Sequence, residues 1–255
     1  MKSLYESLLD DEEEIVDKLD TKTLIEEWLK EHNIEYYKIN KDDTIDVDWY
    51  VDLSLINDFT LPDYINFNKV KGNFFVSNSH NLISLKGCPK EVGGSFYCNG
   101  CNSLKSLEGA PEKVGRVFYC HRCNSLKDLK GAPEKVGAGF YCNECNSLKS
   151  LKGAPKEVGA DFYCVGCISL KSLEGAPEKV KEHFDCNGCN SLKSLKGAPK
   201  EVGGYFDCSG CDSLQSLDGI PKEVKRAFFC NNCKKLNVTK KYIEKNCKVG
   251  GEIIL

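Results

Sequence analysis

The sequence predicts a repeat solenoid built from stacked parallel β-strands, and three observations predict it. A block of 22 residues recurs, as Gly93–Val114 (GGSFYCNGCNSLKSLEGAPEKV) and Gly137–Val158 (GAGFYCNECNSLKSLKGAPKEV) show side by side. The register runs from Lys71 to about Asn246, eight units without an insertion. Each block holds a short apolar–outward–apolar triplet such as Phe96-Tyr97-Cys98, set between turn-forming residues. A fixed period of this length marks a chain whose units bury their apolar faces only against their neighbours.

The elements follow in order. Residues 1–33 read as an acidic helical N-terminal cap. Leu4, Leu8, Ile15 and Leu19 keep helical spacing. After a break at Asp20-Thr21, a second helix carries Leu24, Ile25, Trp28 and Leu29 on one stripe. Thr23 with Glu26 has the form of a capping box, and Asn33 ends the helix. The acidic run Asp10–Glu14 reads as a solvated helix face. Residues 34–70 change period. Tyr37-Lys-Ile39 and the run Ile45, Val47, Trp49, Val51, Leu53 alternate apolar with polar, and Asn40–Asp43 supplies a turn. That is a β-hairpin leader, which would cover the first rung of the array.

The array itself spans 71–238. In the block 93–114, Phe96 and Cys98 point inward from a strand and Tyr97 points outward. Asn99-Gly100 turns the chain, and Cys101, Leu104 and Leu107 point inward again. Gly109-Ala110-Pro111 makes a second corner, where proline sets φ and removes a donor. Val114 returns to the interior. Strands of successive units stack about 4.8 Å apart, so eight rungs extend roughly 38 Å. Residues 239–255 form a C-terminal cap, with a helical turn and a final strand Glu252–Leu255.

Composition is that of an ordinary soluble chain, with 41% apolar and 29% charged residues. No apolar run is long enough to span a bilayer. The acidic start lacks an apolar secretory core, which points to the cytoplasm and to cysteines held as thiols. Charge is unevenly distributed. Residues 1–33 carry net −7, 34–70 net −5, and 71–255 net +9. After each proline comes one charge of each sign, from Lys90-Glu91 and Glu112-Lys113 to Lys222-Glu223. This is a solvated edge with little self-repulsion.

The string Cys-x-Ser-Leu-x-Ser-Leu, followed by Pro-x-x-Val and Phe-x-Cys, resembles leucine-rich repeats of the Treponema/BspA type. It is also similar to the cysteine-containing 22-residue arrays of bacteriophages and large viruses. In those arrays a segment similar to Lys38–Leu55 precedes the repeats. The likeness covers roughly 38–238, with a corner Gly-Ala-Pro one residue longer than the usual Ile-Pro. It implies a solenoid that recognises proteins or surfaces without catalysis, in the host cytoplasm if virus-encoded. A structural component of a virion or other assembly is the alternative class.

Seven CxxC pairs run from Cys98/Cys101 to Cys230/Cys233, with 18 residues between neighbouring pairs. The spacing matches zinc-ribbon arithmetic. It also equals the repeat period, and the first unit has Val76 and Ser79 in place of the pair. Stacked thiols filling an apolar interior account for both facts, so no metal and no cofactor are expected. A zinc-binding repeat remains the alternative. Four histidines, His32, His80, His121 and His183, occupy unrelated repeat positions, and no nucleophile–base motif or phosphate loop is present.

The outward strand position makes a column: Phe75, Tyr97, Tyr119, Tyr141, Tyr163, Asp185, Asp207, Phe229. The flanking positions vary, and include His121, His183 and Tyr205. Inward columns hardly vary. Tyrosine is a favoured interface residue because it buries area at low entropic cost and keeps a polar group. The expected site is therefore Tyr97, Tyr119, Tyr141, Tyr163, Asp185, Asp207, Phe229, His121, His183 and Tyr205, and the expected ligand is a protein or peptide. Nucleic acid is the second reading, with the lysine column Lys105, Lys127, Lys149, Lys171 and Lys193 as a positive stripe.

Overall fold

The computed structural model describes residues 21–255. The first expected helix and the acidic run Asp10–Glu14 lie outside the described residues. The second is helix α1 over 21–31. It is already helical at residue 21, so Thr23 sits inside the helix and does not cap it. Its C-terminus is closed as expected. Asn33 adopts φ 53°, and the amides of Asn33 and Ile34 bond back to the carbonyls of Lys30 and Leu29. The stripe Ile25, Trp28 and Leu29 is buried, and Trp28 meets Phe67 edge-on at 6.4 Å.

The leader is a hairpin of β1 (Tyr37–Ile39) and β2 (Ile45–Val47), paired antiparallel. The alternation through Leu53 does not continue as one strand. The chain turns at Asp48–Tyr50 into β3 (Val51–Asp52), which belongs to a second sheet. Trp49, expected inward by alternation, is 61% exposed at this corner. The leader therefore supplies the first rung of the solenoid, beyond merely covering it. β4 (Phe67–Val70) and β5 (Phe74–Phe75) make the second rung.

From there each turn contributes two short strands. β6 (Glu91–Val92) and β7 (Phe96–Tyr97) set the pattern, which repeats every 22 residues to β18 (Glu223–Val224) and β19 (Phe228–Phe229). The Lys/Glu-Val strands stack into sheet A and the Phe-Tyr/Asp strands into sheet B, both parallel from rung to rung. The Leu-x-x-Leu stretch forms a third side without strands, tied by bonds such as Leu107 N–H to Lys130 O and Leu129 N–H to Lys152 O. Sequence reasoning had a single sheet. The added sheet arises because Val114 and its equivalents return inward between two corners, and that is enough to pair.

The number of turns also rises. The tail forms α2 (Lys240–Asn246), capped by Thr239, then β20 (Lys248–Val249) and β21 (Ile253–Ile254), which continue sheets A and B. Sheet B thus has 10 strands in place of the eight rungs read from the repeat. The offset to the last rung is 25 residues, because α2 is inserted into the third side. Among the described residues, no helix is long and apolar enough to cross a membrane.

The core is a set of columns parallel to the solenoid axis. Phe74, Phe96, Phe118, Phe140, Phe162, Phe184, Phe206 and Phe228 are fully buried. Adjacent rings stack at 5.2–5.5 Å with planes 3–19° apart. Two leucine columns and the valines of sheet A complete the interior. Outside, sheet A is charged and self-paired. Lys113 bonds Glu91 at 3.1 Å, Lys135 bonds Glu157 at 2.8 Å and Lys248 bonds Glu223 at 2.9 Å, each across neighbouring rungs.

Candidate functional face of sheet B

The two-residue strand decides what sheet B presents. Phenylalanine points in at one position, so the next residue must point out. Parallel pairing in register then places Phe75, Tyr97, Tyr119, Tyr141 and Tyr163 in one line. All five are half-buried. Phe75, Tyr97 and Tyr119 stack face to face, with centroids 4.6 and 4.7 Å apart, whereas Tyr119–Tyr141 and Tyr141–Tyr163 are tilted by 47° and 36° at 5.1 and 5.0 Å. Ring faces therefore cover each other from Phe75 to Tyr119, leaving ring edges and hydroxyls on the open side, and the rings of Tyr141 and Tyr163 continue the line at a tilt. Burial raises the Tyr119 phenol above its ordinary pKa, and burial with the Asp161 carboxylate does so for Tyr141.

Side branches hold the ladder's far end. Tyr141 leans across Gly139 and donates its hydroxyl to Asp161 Oδ2 at 3.0 Å. A Cβ at position 139 would come within 2.6 Å of the Tyr141 ring, which is why a residue without one stands there. Asp161 Oδ1 also accepts the His183 backbone N–H at 3.1 Å. His183 stacks on Tyr205 at 4.0 Å, and its Nδ1 accepts the Tyr205 backbone N–H at 3.0 Å. The hydroxyls of Tyr205 and Tyr163 lie 3.0 Å apart. Asp161, which directly precedes its rung's inward Phe162, is not among the site residues expected from the sequence. The glycine at 139, where other rungs carry side chains, was the available signal.

Asp185 and Asp207 follow Tyr163 in the column and are register partners. Each turns one oxygen to a backbone amide two residues on: Asn187 N–H to Asp185 Oδ1 at 2.9 Å, Ser209 N–H to Asp207 Oδ1 at 2.7 Å. Burial pushes the Asp185 carboxyl up to about 6, against the bond from Asn187, with the Asp207 charge adding to the rise. Phe229 follows Asp207 in the column, ahead of Ile254 on the last rung, and meets Tyr205 edge-on at 5.9 Å.

His121 lies on the opposite flank, 5.4 Å from the Tyr119 ring and 6.0 Å from that of Tyr141. Burial lowers its pKa. The corner beside it needs the left-handed conformation on every rung. Gly100, Gly166, Gly188 and Gly210 adopt it freely, but Arg122 and Glu144 adopt φ 56° as well. Those two side chains pair with each other, Arg122 Nε to Glu144 Oε2 at 2.8 Å. All ten expected site residues thus lie on one face of one sheet, His121 on one flank and His183 with Tyr205 on the other.

The cysteines occupy the interior behind this face. The second cysteine of a pair donates its thiol to the carbonyl at the first cysteine's place one rung back: Cys101 to Val76 O at 3.1 Å, Cys123 to Cys98 O at 3.1 Å, Cys145 to Cys120 O at 3.1 Å, Cys189 to Cys164 O at 3.2 Å. A weak donor is thereby supplied at each corner to an inward carbonyl. Ser79 stands at the same place in an earlier rung, and its buried hydroxyl has no partner. Burial pushes the Cys98, Cys120 and Cys145 thiols well up, and Cys101 to about 12. Among the described residues, no group of three His, Cys, Asp or Glu side chains is arranged to hold a metal ion.

A groove of about 1180 Å³ lies elsewhere, at the N-terminal end beside Tyr36, Trp49, Tyr50 and Leu55. Its histidine, His32, stacks on Trp28 at 3.9 Å and bonds the Trp28 carbonyl. No protein-family model matches the chain, and no curated protein or solved structure matches it either.

Proposed function

We propose that this chain is a non-enzymatic binding module that captures a protein or peptide along the outer face of sheet B. The observation that carries this reading is the contrast between the two sheets. Sheet A's outer face is laced with rung-to-rung ion pairs, which leave little for a partner to satisfy. Sheet B's outer face offers a half-buried aromatic strip continuing into two carboxylates. Ring edges with hydroxyls suit a peptide, which brings both apolar side chains and hydrogen-bonding groups. They suit nucleic acid less, because base stacking needs free ring faces, and from Phe75 to Tyr119 these cover one another. The lysine column from Lys105 to Lys193 belongs to the third side and not to this face, so the two halves of a nucleic-acid site are separated.

The double variant Tyr119→Ser/Tyr141→Ser tests the reading. The variant is expected to keep its circular dichroism and melting cooperativity and to lose affinity for partners that the wild-type chain retains. Equal capture by both chains sinks the assignment.

A further inference from the structure

We infer that the partner presents an arginine at the end of the tyrosine ladder, its guanidinium seated over Asp185 and Asp207. This rests on the reading of sheet B's face as the capture surface and names the chemistry of what it captures. Three observations converge. Register pairing sets the two aspartates directly opposite each other on neighbouring strands, about 4.8 Å apart, where like charges repel. Like charges also stand side by side in sheet A's outer column, as Lys113 with Lys135 and Glu201 with Glu223, but each of them pairs with an opposite charge on another rung. Here, among the described residues, no lysine or arginine pairs with Asp161, Asp185 or Asp207. An acidic stretch is thus left uncompensated within an array of net charge +9.

The surroundings select the kind of cation. The aromatic ladder stops at Tyr163, whose next neighbour in the column is Asp185, so its ring has no aromatic neighbour in the column on that side. Phe229 bounds the other end, and Tyr205 stands at the flank. Each carboxylate uses Oδ1 for a backbone amide, leaving Oδ2 without a donor among the described residues. A guanidinium is planar, carries five donors in a fixed fork and stacks on aromatic faces, so it can bridge two carboxylates beside a ring. An ammonium does neither as well. The ladder from Phe75 to Tyr163 is four rung spacings long, roughly 19 Å. That length accepts about six residues of extended chain ahead of the arginine.

The test uses the full chain and fluorescein-labelled peptides Leu-Ser-Leu-Ser-Leu-Ser-Leu-Arg-Gly, with citrulline or lysine replacing the arginine in two controls. Fluorescence anisotropy is expected to show the arginine peptide binding at least about tenfold tighter than the citrulline peptide. The ratio should fall to about one in Asp185→Asn/Asp207→Asn, with folding checked by circular dichroism. Equal affinity of arginine and citrulline peptides, both lost in Tyr119→Ser/Tyr141→Ser, would overturn the arginine assignment and leave the capture face standing. Binding that survives both double variants would overturn the two together. Lysine matching arginine defeats the guanidinium, and no binding by any peptide to about 1 mM defeats the inference.

Discussion

Sheet B carries two aromatic columns, one on either face, and they differ in regularity. The inner phenylalanines keep their planes within 19° of one another through eight rings. The outer tyrosines begin as evenly, with planes 10–11° apart, then open to 47° at Tyr119–Tyr141. Both ladders share the same backbone and register. The inner rings are confined on all sides by leucines, cysteines and the rings of adjacent rungs, so packing alone sets their orientation. The outer rings have one free side, and there hydrogen bonds decide: Asp161 draws Tyr141 aside, and Tyr205 meets Tyr163. A repeat therefore enforces uniformity inside and permits local character outside, where recognition would have to occur.

The comparison can be broken most forcefully at rung centre. Phe140→Ala is expected to cost about 3–5 kcal/mol, since it opens a cavity within a continuous ladder. Its outward neighbour, Tyr141→Ser, should cost no more than about 1 kcal/mol. Urea titrations of the two variants measure this directly, and equal losses would mean that the outer ladder carries the fold as well.

Thiol chemistry separates interior from surface next. In the native protein, alkylation by iodoacetamide at pH 8 should be at least about a hundredfold slower than for an exposed thiol. Cys233, half-exposed and raised only to about 11, should be labelled first. All sixteen cysteines should react once unfolded. Rapid native labelling at Cys142 or Cys164 would contradict a packed core. Mass spectrometry of timed samples provides the readout.

Asp185 sharpens the contrast on the outer face. Its folded pKa, about 6, lies above the ordinary aspartate value of 3.8. The ionised form therefore burdens the folded state above pH 6, and the burden lifts as pH falls from 6 toward 4. Asp185→Asn is expected to stabilise the protein at pH 7.5 by on the order of 1–2 kcal/mol, discounted for its half-exposed position. The difference between variant and wild type should vanish near pH 4. A variant no more stable than wild type at pH 7.5 would remove the argument that this carboxylate is kept at a cost. The smallest effect is expected at Ser79. Ser79→Cys should add about 1 kcal/mol by replacing an unpartnered buried hydroxyl with the residue of later rungs. A loss of melting temperature would show that the early corner differs in shape.

Legibility in the sequence followed the repeat. The inward assignment of Phe96, Cys98, Cys101, Leu104, Leu107 and Val114 could be read directly, because eight copies of one environment repeat the same constraint. The hairpin of β1 and β2 and the final strand were also legible from alternation and turn residues. Trp49 was misplaced because period-two alternation does not reveal a corner between two strands. Asp161 was left out of the site because its partners, Tyr141 and His183, lie on the rungs before and after its own.

The sequence by itself determined the period, the solenoid class and which side chains face inward, since burial in a stacked array depends on position within the block. Tertiary structure alone decided the rest. It made a second sheet from two-residue Lys/Glu-Val segments too short to register as strands. It recruited leader and tail as the first and tenth rungs. It stacked Tyr97 on Tyr119, tilted Tyr141 and Tyr163 out of that stack, and brought the Tyr163 hydroxyl within 3.0 Å of that of Tyr205, 42 residues away. These outcomes depend on how rungs lean and meet in space, and a one-dimensional repeat carries the spacing of the rungs but not the lateral direction of their side chains.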